Sequence, residues 1–262
     1  MKLTLYQIDA FTDHVFGGNP AAVCILDKWL DSALMQKIAQ ENNLAETAFV
    51  VQNNAQFEIR WFTPETEVAL CGHATLAAAY ALFNYYGYPE NTFRFYSQKS
   101  GSLLVEKGVN GFITLDFPTD DNAMIRGHDA IEKALGWSPI KTIKGKTDYL
   151  LIYNSQAEIE ALEPNFHLLD KCDCRGVIVS APGDNVDFVS RFFAPKCGIP
   201  EDPVTGSAHT TLAPYWSKVL GKTKMTAQQL SKRGGNLWIE YLGERVKISG
   251  KAIPYLIGEI DL

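Results

Sequence analysis

Two stretches of this chain repeat one pattern. Phe57-Glu58-Ile59-Arg60-Trp61-Phe62-Thr63-Pro64 reads F-x-x-R-aromatic-F-x-P, and Phe188-Val189-Ser190-Arg191-Phe192-Phe193-Ala194-Pro195 reads the same way. The offset from Phe57 to Phe188 is 131 residues, half of the 262-residue chain. After each proline a loop runs to a glycine that opens an Ala-rich helical segment: Cys71-Gly72-His73-Ala74-Thr75 in one half, Thr205-Gly206-Ser207-Ala208-His209 in the other. From Gly72 to Gly206 the offset is 134, so the second loop is three residues longer. A duplicated strand-loop-helix predicts two similar halves about a pseudo-twofold axis, with two helix N-termini converging on one site.

The totals agree with two domains of roughly 130 residues. The formal charge of −6 argues against nucleic acid or an anionic membrane as the main partner, while leaving room for a local cationic pocket. Five cysteines (Cys24, Cys71, Cys172, Cys174, Cys197) are an odd count without disulfide-like spacing. With no signal-peptide pattern after Met1, they predict a reduced, cytoplasmic protein. No apolar run approaches the ~20 residues of a membrane span. Cys172-Asp173-Cys174 is too closely spaced for a zinc knuckle and lacks a second ligand pair, so no metal is expected there.

Strand patterns dominate both halves, beginning with Leu3-Thr4-Leu5-Tyr6-Gln7-Ile8-Asp9 and ending with a run over 253–260. Helices are expected over 32–42 behind Asp31 or Ser32 as N-cap, over 73–85, over 207–220 with Pro214 as a kink, and in short pieces over 130–135 and 227–232. The 73–85 segment is apolar on every side, which predicts a helix buried inside the strands of its own half. The fold class is therefore α+β: two pseudo-symmetric halves, each a mixed, barrel-like sheet wrapped around a central helix. Residues 1–117 form the first and 118–262 the second, the last strand being free to cross over, with the boundary in the polar turn at 118–123.

Gly72 and Gly206 each stand at the start of a helix, where backbone N–H groups and the positive end of the dipole suit a carboxylate. Glycine leaves those donors open to the ligand. His73 lies in the first turn of one helix, where the dipole favours neutral imidazole. Ser207 takes its place in the other copy. Asp202 lies four residues before Gly206, and His209 is open between a structural and a catalytic role. Glu46 precedes the apolar strand Thr47-Ala48-Phe49-Val50-Val51. Partial desolvation there raises a carboxylate toward the pKa of a working general base, whereas from this segment alone a solvated loop glutamate is the better fit.

The stretches Asn19-Pro20-Ala21-Ala22-Val23, Leu44-Ala45-Glu46-Thr47-Ala48-Phe49, Arg60-Trp61-Phe62-Thr63-Pro64, Cys71-Gly72-His73-Ala74-Thr75 and Glu201-Asp202-Pro203-Val204-Thr205-Gly206-Ser207-Ala208-His209 together resemble the phenazine-biosynthesis isomerase (PhzF-like) family, of the diaminopimelate-epimerase-like fold. The resemblance spans most of the chain in order. It implies a cofactor-free isomerase whose site lies in the cleft between the halves, with Glu46 as acid/base and His73, Asp202 and Ser207 around the substrate. One departure matters. Diaminopimelate epimerase pairs a cysteine from each half, but here Cys71 is matched by Thr205, whose hydroxyl cannot serve as a thiolate-like base.

The reading is an isomerase that moves a proton within a small carboxylic acid of the dihydro-hydroxyanthranilate kind, without metal, nucleotide or flavin. Gly72, His73, Gly206 and Ser207 hold the substrate carboxylate, and a homodimer is the expected assembly. The alternatives are an amino-acid racemase or epimerase using Cys71, and a non-catalytic protein that binds a small acid.

Overall fold

The computed structural model describes residues 1–53, 56–120 and 122–262. Of the polar turn expected at 118–123, Asp121 lies outside them. The chain divides into two compact units, Met1–Phe117 together with Ile248–Leu262, and Pro118–Lys247. In chain order the first half runs β1 (Lys2–Ala10), β2 (Asn19–Leu26), α1 (Ser32–Asn42), β3 (Glu46–Asn53), β4 (Gln56–Phe62), β5 (Glu67–Val68), α2 (Gly72–Tyr85), β6 (Thr92–Ser97), β7 (Gly101–Lys107) and β8 (Ile113–Pro118). The second runs β9 (Ala123–Ile125), α3 (Asp129–Leu135), β10 (Lys141–Lys144), β11 (Asp148–Ile152), α4 (Gln156–Ala161), α5 (Phe166–Leu169), β12 (Gly176–Pro182), β13 (Phe188–Phe193), α6 (Ala208–Leu220), β14 (Lys224–Gln229), β15 (Gly235–Tyr241), β16 (Arg245–Gly250) and β17 (Ala252–Asp261).

Both units follow one pairing scheme. In the first, β2 and β3 are parallel across α1, β3 and β4 antiparallel, β4 and β6 parallel across α2, and β6 and β7 antiparallel. In the second, β11 and β12 are parallel across α4 and α5, β12 and β13 antiparallel, β13 and β14 parallel across α6, and β14 and β15 antiparallel. Parallel neighbours require a crossover, and the helices supply it. The repeated F-x-x-R motif falls on β4 and on β13, the strand that precedes the central helix in each unit. β17 lies antiparallel to β1 along its length, so the end of the chain belongs to the first unit.

Local chemistry accounts for these elements. The Asp31 carboxylate accepts from the Ala33 N–H at 2.9 Å and starts α1, whose buried Met35, Ile38 and Ala39 pack with Cys24, Phe49, Val51 and Phe62. Helix α2 buries residues on every side, and it lies against β1, β2, β3 and β17. Its alanines let strands approach closely without loss of side-chain entropy. In α6, Pro214 removes one helical N–H and disturbs the preceding turn. The Thr210 carbonyl accepts instead from the Asp120 N–H at 3.2 Å, and the Thr211 carbonyl from Asn122 Nδ2 at 2.9 Å.

Of the helix expected at 227–232, residues 227–229 are instead the end of strand β14, and 230–232 follow it without helical structure. Met225, Ala227 and Gln229 are buried in strand alternation, and pairing with β13 on one side and β15 on the other overrides the helical preference of Ala-Gln-Gln.

The repeated arginine does the same work twice. Arg60 donates through Nε and Nη2 to the two oxygens of Glu67, at 2.8 and 2.9 Å, and lies over the Phe62 ring at 5.1 Å. Arg191 donates likewise to Glu201, at 2.7 and 3.0 Å, and lies over Phe193 at 4.9 Å. Its Nη1 also reaches the carbonyls of Ile159 and Leu162, at 3.0 and 2.8 Å, and so caps the end of α4. Each pair ties the strand carrying the motif to the loop that leads to the central helix. Replacing Arg191 with Met strands a half-buried carboxylate and two carbonyls. Arg191→Met is expected to lower unfolding stability by about 2–4 kcal/mol, and Arg60→Met by less because Arg60 satisfies fewer carbonyls. Urea unfolding with unchanged m-value checks both, and equal losses would contradict the account.

Candidate active site

Glu46 opens β3 and His73 stands in the first turn of α2; both side chains are buried. His73 Nε2 lies 3.2 Å from Glu46 Oε2, in short contact though not aligned as a hydrogen bond. On the other side of the ring, Asn19 Nδ2 lies 3.1 Å from His73 Nδ1 and Cys71 Sγ lies 3.5 Å from it. An amide NH₂ can only donate, so Nδ1 is the acceptor, and the neutral ring carries its proton on Nε2, facing the carboxylate. Burial pushes the His73 pKa down to about 3. The sequence predicts a lowered pKa from the helix dipole; the direction holds, and desolvation is the cause. At neutral pH the contact therefore sets the Glu46 carboxyl against a neutral N–H rather than an imidazolium.

The sequence assigns no role to Asn19, although it opens the Asn19-Pro20-Ala21-Ala22-Val23 stretch. The signal was the preceding Gly17-Gly18. Gly18 has φ +60°, and a Cβ there would stand 2.1 Å from the Ala10 carbonyl oxygen, so only glycine makes the turn that delivers Asn19 to full burial.

In the second unit the loop before α6 is held by its own polar groups. The Asp202 N–H donates to the Phe192 carbonyl at 3.0 Å, which fixes the loop to β13. The Thr205 hydroxyl donates to Asp202 Oδ2 at 2.5 Å. Gln229, fully buried on β14, accepts from the Thr205 N–H at 2.8 Å and donates to the Asp202 carbonyl at 2.8 Å. Ser207 is the N-cap of α6, and its hydroxyl accepts from Arg175 Nη2 at 3.1 Å, while Arg175 is itself forked onto Asp148. His209 donates from Nδ1 to the Thr205 carbonyl at 2.9 Å.

The structure thus brings Glu46, His73, Cys71 and Asn19 together in the first unit, and Asp202, Thr205, Ser207, Arg175 and Gln229 around one loop in the second. Gln229 carries no sequence signal, because the composition of its segment favours a helix. Arg175 carried no motif. Gly72 is the first residue of α2, and Gly206 stands two residues before α6. Ligand atoms of Glu46, Cys71 and His73 lie within 4.8 Å of one another, a set able to hold a cation. No described helix is long and apolar enough to cross a membrane.

His209 gives a pH test. Burial holds its pKa at about 4, against 6.5 in an exposed histidine. The unfolded chain takes up a proton below pH ~6.5 while the native imidazole does not, so this contribution to stability is intact above that pH and is lost on acidification toward 4. His209→Asn keeps a donor toward the Thr205 carbonyl and removes the titration. The fall in unfolding stability between pH 7.5 and pH 5 should then shrink by about 2 kcal/mol relative to the parent chain. Denaturant unfolding at the two pH values measures it, and an unchanged fall would refute the assignment.

Comparison with known proteins follows the same lines. The family described as phenazine biosynthesis-like protein (PhzC-PhzF) matches residues 8–258. An uncharacterized isomerase of Pseudomonas aeruginosa is 49% identical over 263 residues, covering 100% of both chains. A crystal structure of a PhzF-family phenazine biosynthesis protein from Enterococcus faecalis superposes with TM-score 0.96 at 47% identity, again covering 100% of each. A predicted epimerase from Pseudomonas aeruginosa, 20% identical with TM-score 0.76 over 98% of this chain and 99% of that one, shares the fold.

Proposed function

The chain belongs to the phenazine biosynthesis-like (PhzC-PhzF) family, and from that membership we propose that it is an isomerase that moves a proton within a small carboxylic acid. The observation that supports this most directly is the buried Glu46 carboxylate 3.2 Å from the Nε2 of a neutral His73. A general base has to act where bulk water does not compete for the proton, and burial at the mouth of β3 gives the Glu46 carboxyl such a place.

In this reading Glu46 takes a proton from one carbon of the substrate. The C–H electron pair enters the conjugated acid as an enolate, and the Glu46 carboxyl returns the proton to another carbon, so no oxidant or cofactor is consumed. The Nε2–H of His73 is a fixed donor for the oxygen on which charge develops. The roles of substrate holding go to Gly72 and His73 at the start of α2, and to Asp202, Gly206 and Ser207 before α6. The Arg175 guanidinium, its charge matched by Asp148, holds the Ser207 hydroxyl in place at the start of α6. A dihydro-hydroxyanthranilate-like acid, a homodimeric assembly and a reduced cytoplasmic setting complete the proposal.

The racemase reading with two thiols is disfavoured by Thr205, whose hydroxyl is committed as a donor to Asp202. The two readings rank two variants oppositely. Solvent deuterium incorporation into a bound carboxylic acid should fall by about 10²–10⁴-fold in Glu46→Gln, with binding largely kept, and should change little in Cys71→Ala. Abolition in Cys71→Ala with retention in Glu46→Gln would overturn the assignment. Affinity for the same acid, measured by calorimetry, should drop in Gly206→Val, because a side chain there screens the helix N–H groups. Unchanged affinity would place the anion elsewhere.

A further inference from the structure

The residues that surround His73 are also the ligand set of a soft divalent cation. We propose that Glu46, Cys71 and His73 form a zinc-class site whose occupation blocks the proton shuttle. The blocking rests on the reading of Glu46 given above; the binding does not.

The geometry comes first. Cys71 Sγ and His73 Nδ1 are 3.5 Å apart. Tetrahedral zinc, with Zn–S near 2.3 Å and Zn–N near 2.0–2.1 Å, sets sulfur and nitrogen about 3.5 Å apart, so two ligands already stand at working spacing. One ligand atom from each of the three residues lies within 4.8 Å of the others. Glu46 presently faces Nε2 rather than Nδ1, and a turn about its terminal torsions would bring an oxygen to the third edge. Asn19 stands 3.1 Å from Nδ1, and turning its amide over presents an oxygen in place of the NH₂. That oxygen or a water can fill the fourth position.

Charge and ligand type select the metal. A thiolate beside a buried carboxylate is unfavourable without a counter-charge, and a dication supplies two positive charges where the pair supplies two negative ones. Sulfur and imidazole favour zinc over magnesium or calcium, which prefer all-oxygen sets. The exchange balances simply. Hydrated Zn²⁺ releases a water for each protein ligand, the Cys71 thiol gives its proton to the buffer, and nothing is oxidised. With its oxygen on the metal, Glu46 no longer accepts a proton from carbon.

The test uses the full chain and cobalt(II) as the optical stand-in for zinc. Titration should produce one equivalent of a thiolate-to-cobalt charge-transfer band in the near ultraviolet, lost on addition of Zn²⁺. The band should be missing in Cys71→Ala and in Cys71→Ser, the second variant guarding against a packing defect in the first. Cys24, Cys172, Cys174 and Cys197 remain in every protein, so a band that survives both substitutions assigns the metal to those thiols and overturns the proposal, as does a wild-type chain without the band. Zinc should also suppress solvent deuterium exchange, with a chelator restoring it. Exchange that continues with zinc bound refutes the blocking. An inactive wild-type chain that still shows the Cys71-dependent band sinks the isomerase reading and leaves the metal site standing.

Discussion

Each unit has to lead its chain from a strand to a helix enclosed by its own sheet, through a loop that carries polar groups into a buried place. Such a loop has few regular backbone partners, the two residues of β5 against β4 in the first unit and one bridge from Ala194 to Ile199 in the second, and side chains must do the rest. In both units that task falls to an arginine on the preceding strand, forked onto a glutamate in the loop: Arg60 on Glu67 and Arg191 on Glu201. Both pairs are largely shielded from solvent, and both lie against an aromatic ring of the same motif. A bidentate pair fixes direction as well as distance, which a single hydrogen bond does not. Asp202 follows Glu201 directly, so the second clamp sets where that carboxylate begins.

Burial then decides the chemistry of the first unit. A protonated His73 next to Glu46 would be a buried ion pair, which costs desolvation of two charges. Keeping the imidazole neutral avoids that cost. Asn19 completes this by donating to Nδ1, which commits the ring proton to Nε2. The position of Asn19 depends in turn on the left-handed glycine before it, so a backbone requirement at Gly18 reaches the protonation pattern of the site.

Much of this was legible in the sequence, for identifiable reasons. The duplicated motif marked the strand and the glycine-helix of each unit, and the all-apolar 73–85 segment marked an enclosed helix, because period and repeat are local signals. Glu46, His73, Asp202 and Ser207 stood in motifs and fall within the two polar clusters. What escaped were partners chosen by tertiary pairing. Gln229 is brought to Asp202 and Thr205 by the register of β14 against β13, and its own segment reads as helix. Arg175 reaches Ser207 only because the chain before β12 passes that loop. The cause of the depressed His73 pKa was likewise misattributed, since burial is a property of the packed unit and the dipole is visible from the helix start alone.

The duplication is thus symmetric in scaffold and asymmetric in chemistry, and Cys71 and Thr205 show where the two part. Both residues precede the repeated glycine. Cys71 lies beside an imidazole that can interact with its sulfur, and near a carboxylate on a strand mouth. Thr205 spends its hydroxyl on Asp202, its N–H on Gln229 and its carbonyl on His209. A residue with every polar group engaged is a fastener, and freeing the hydroxyl to act on a ligand would leave Asp202 short of a donor. A second base in this position would therefore require rebuilding the loop as well as exchanging oxygen for sulfur. That is the physical reason two equivalent helix starts carry different polar clusters, a thiol, an imidazole and a carboxyl at one and a closed hydrogen-bonded loop at the other.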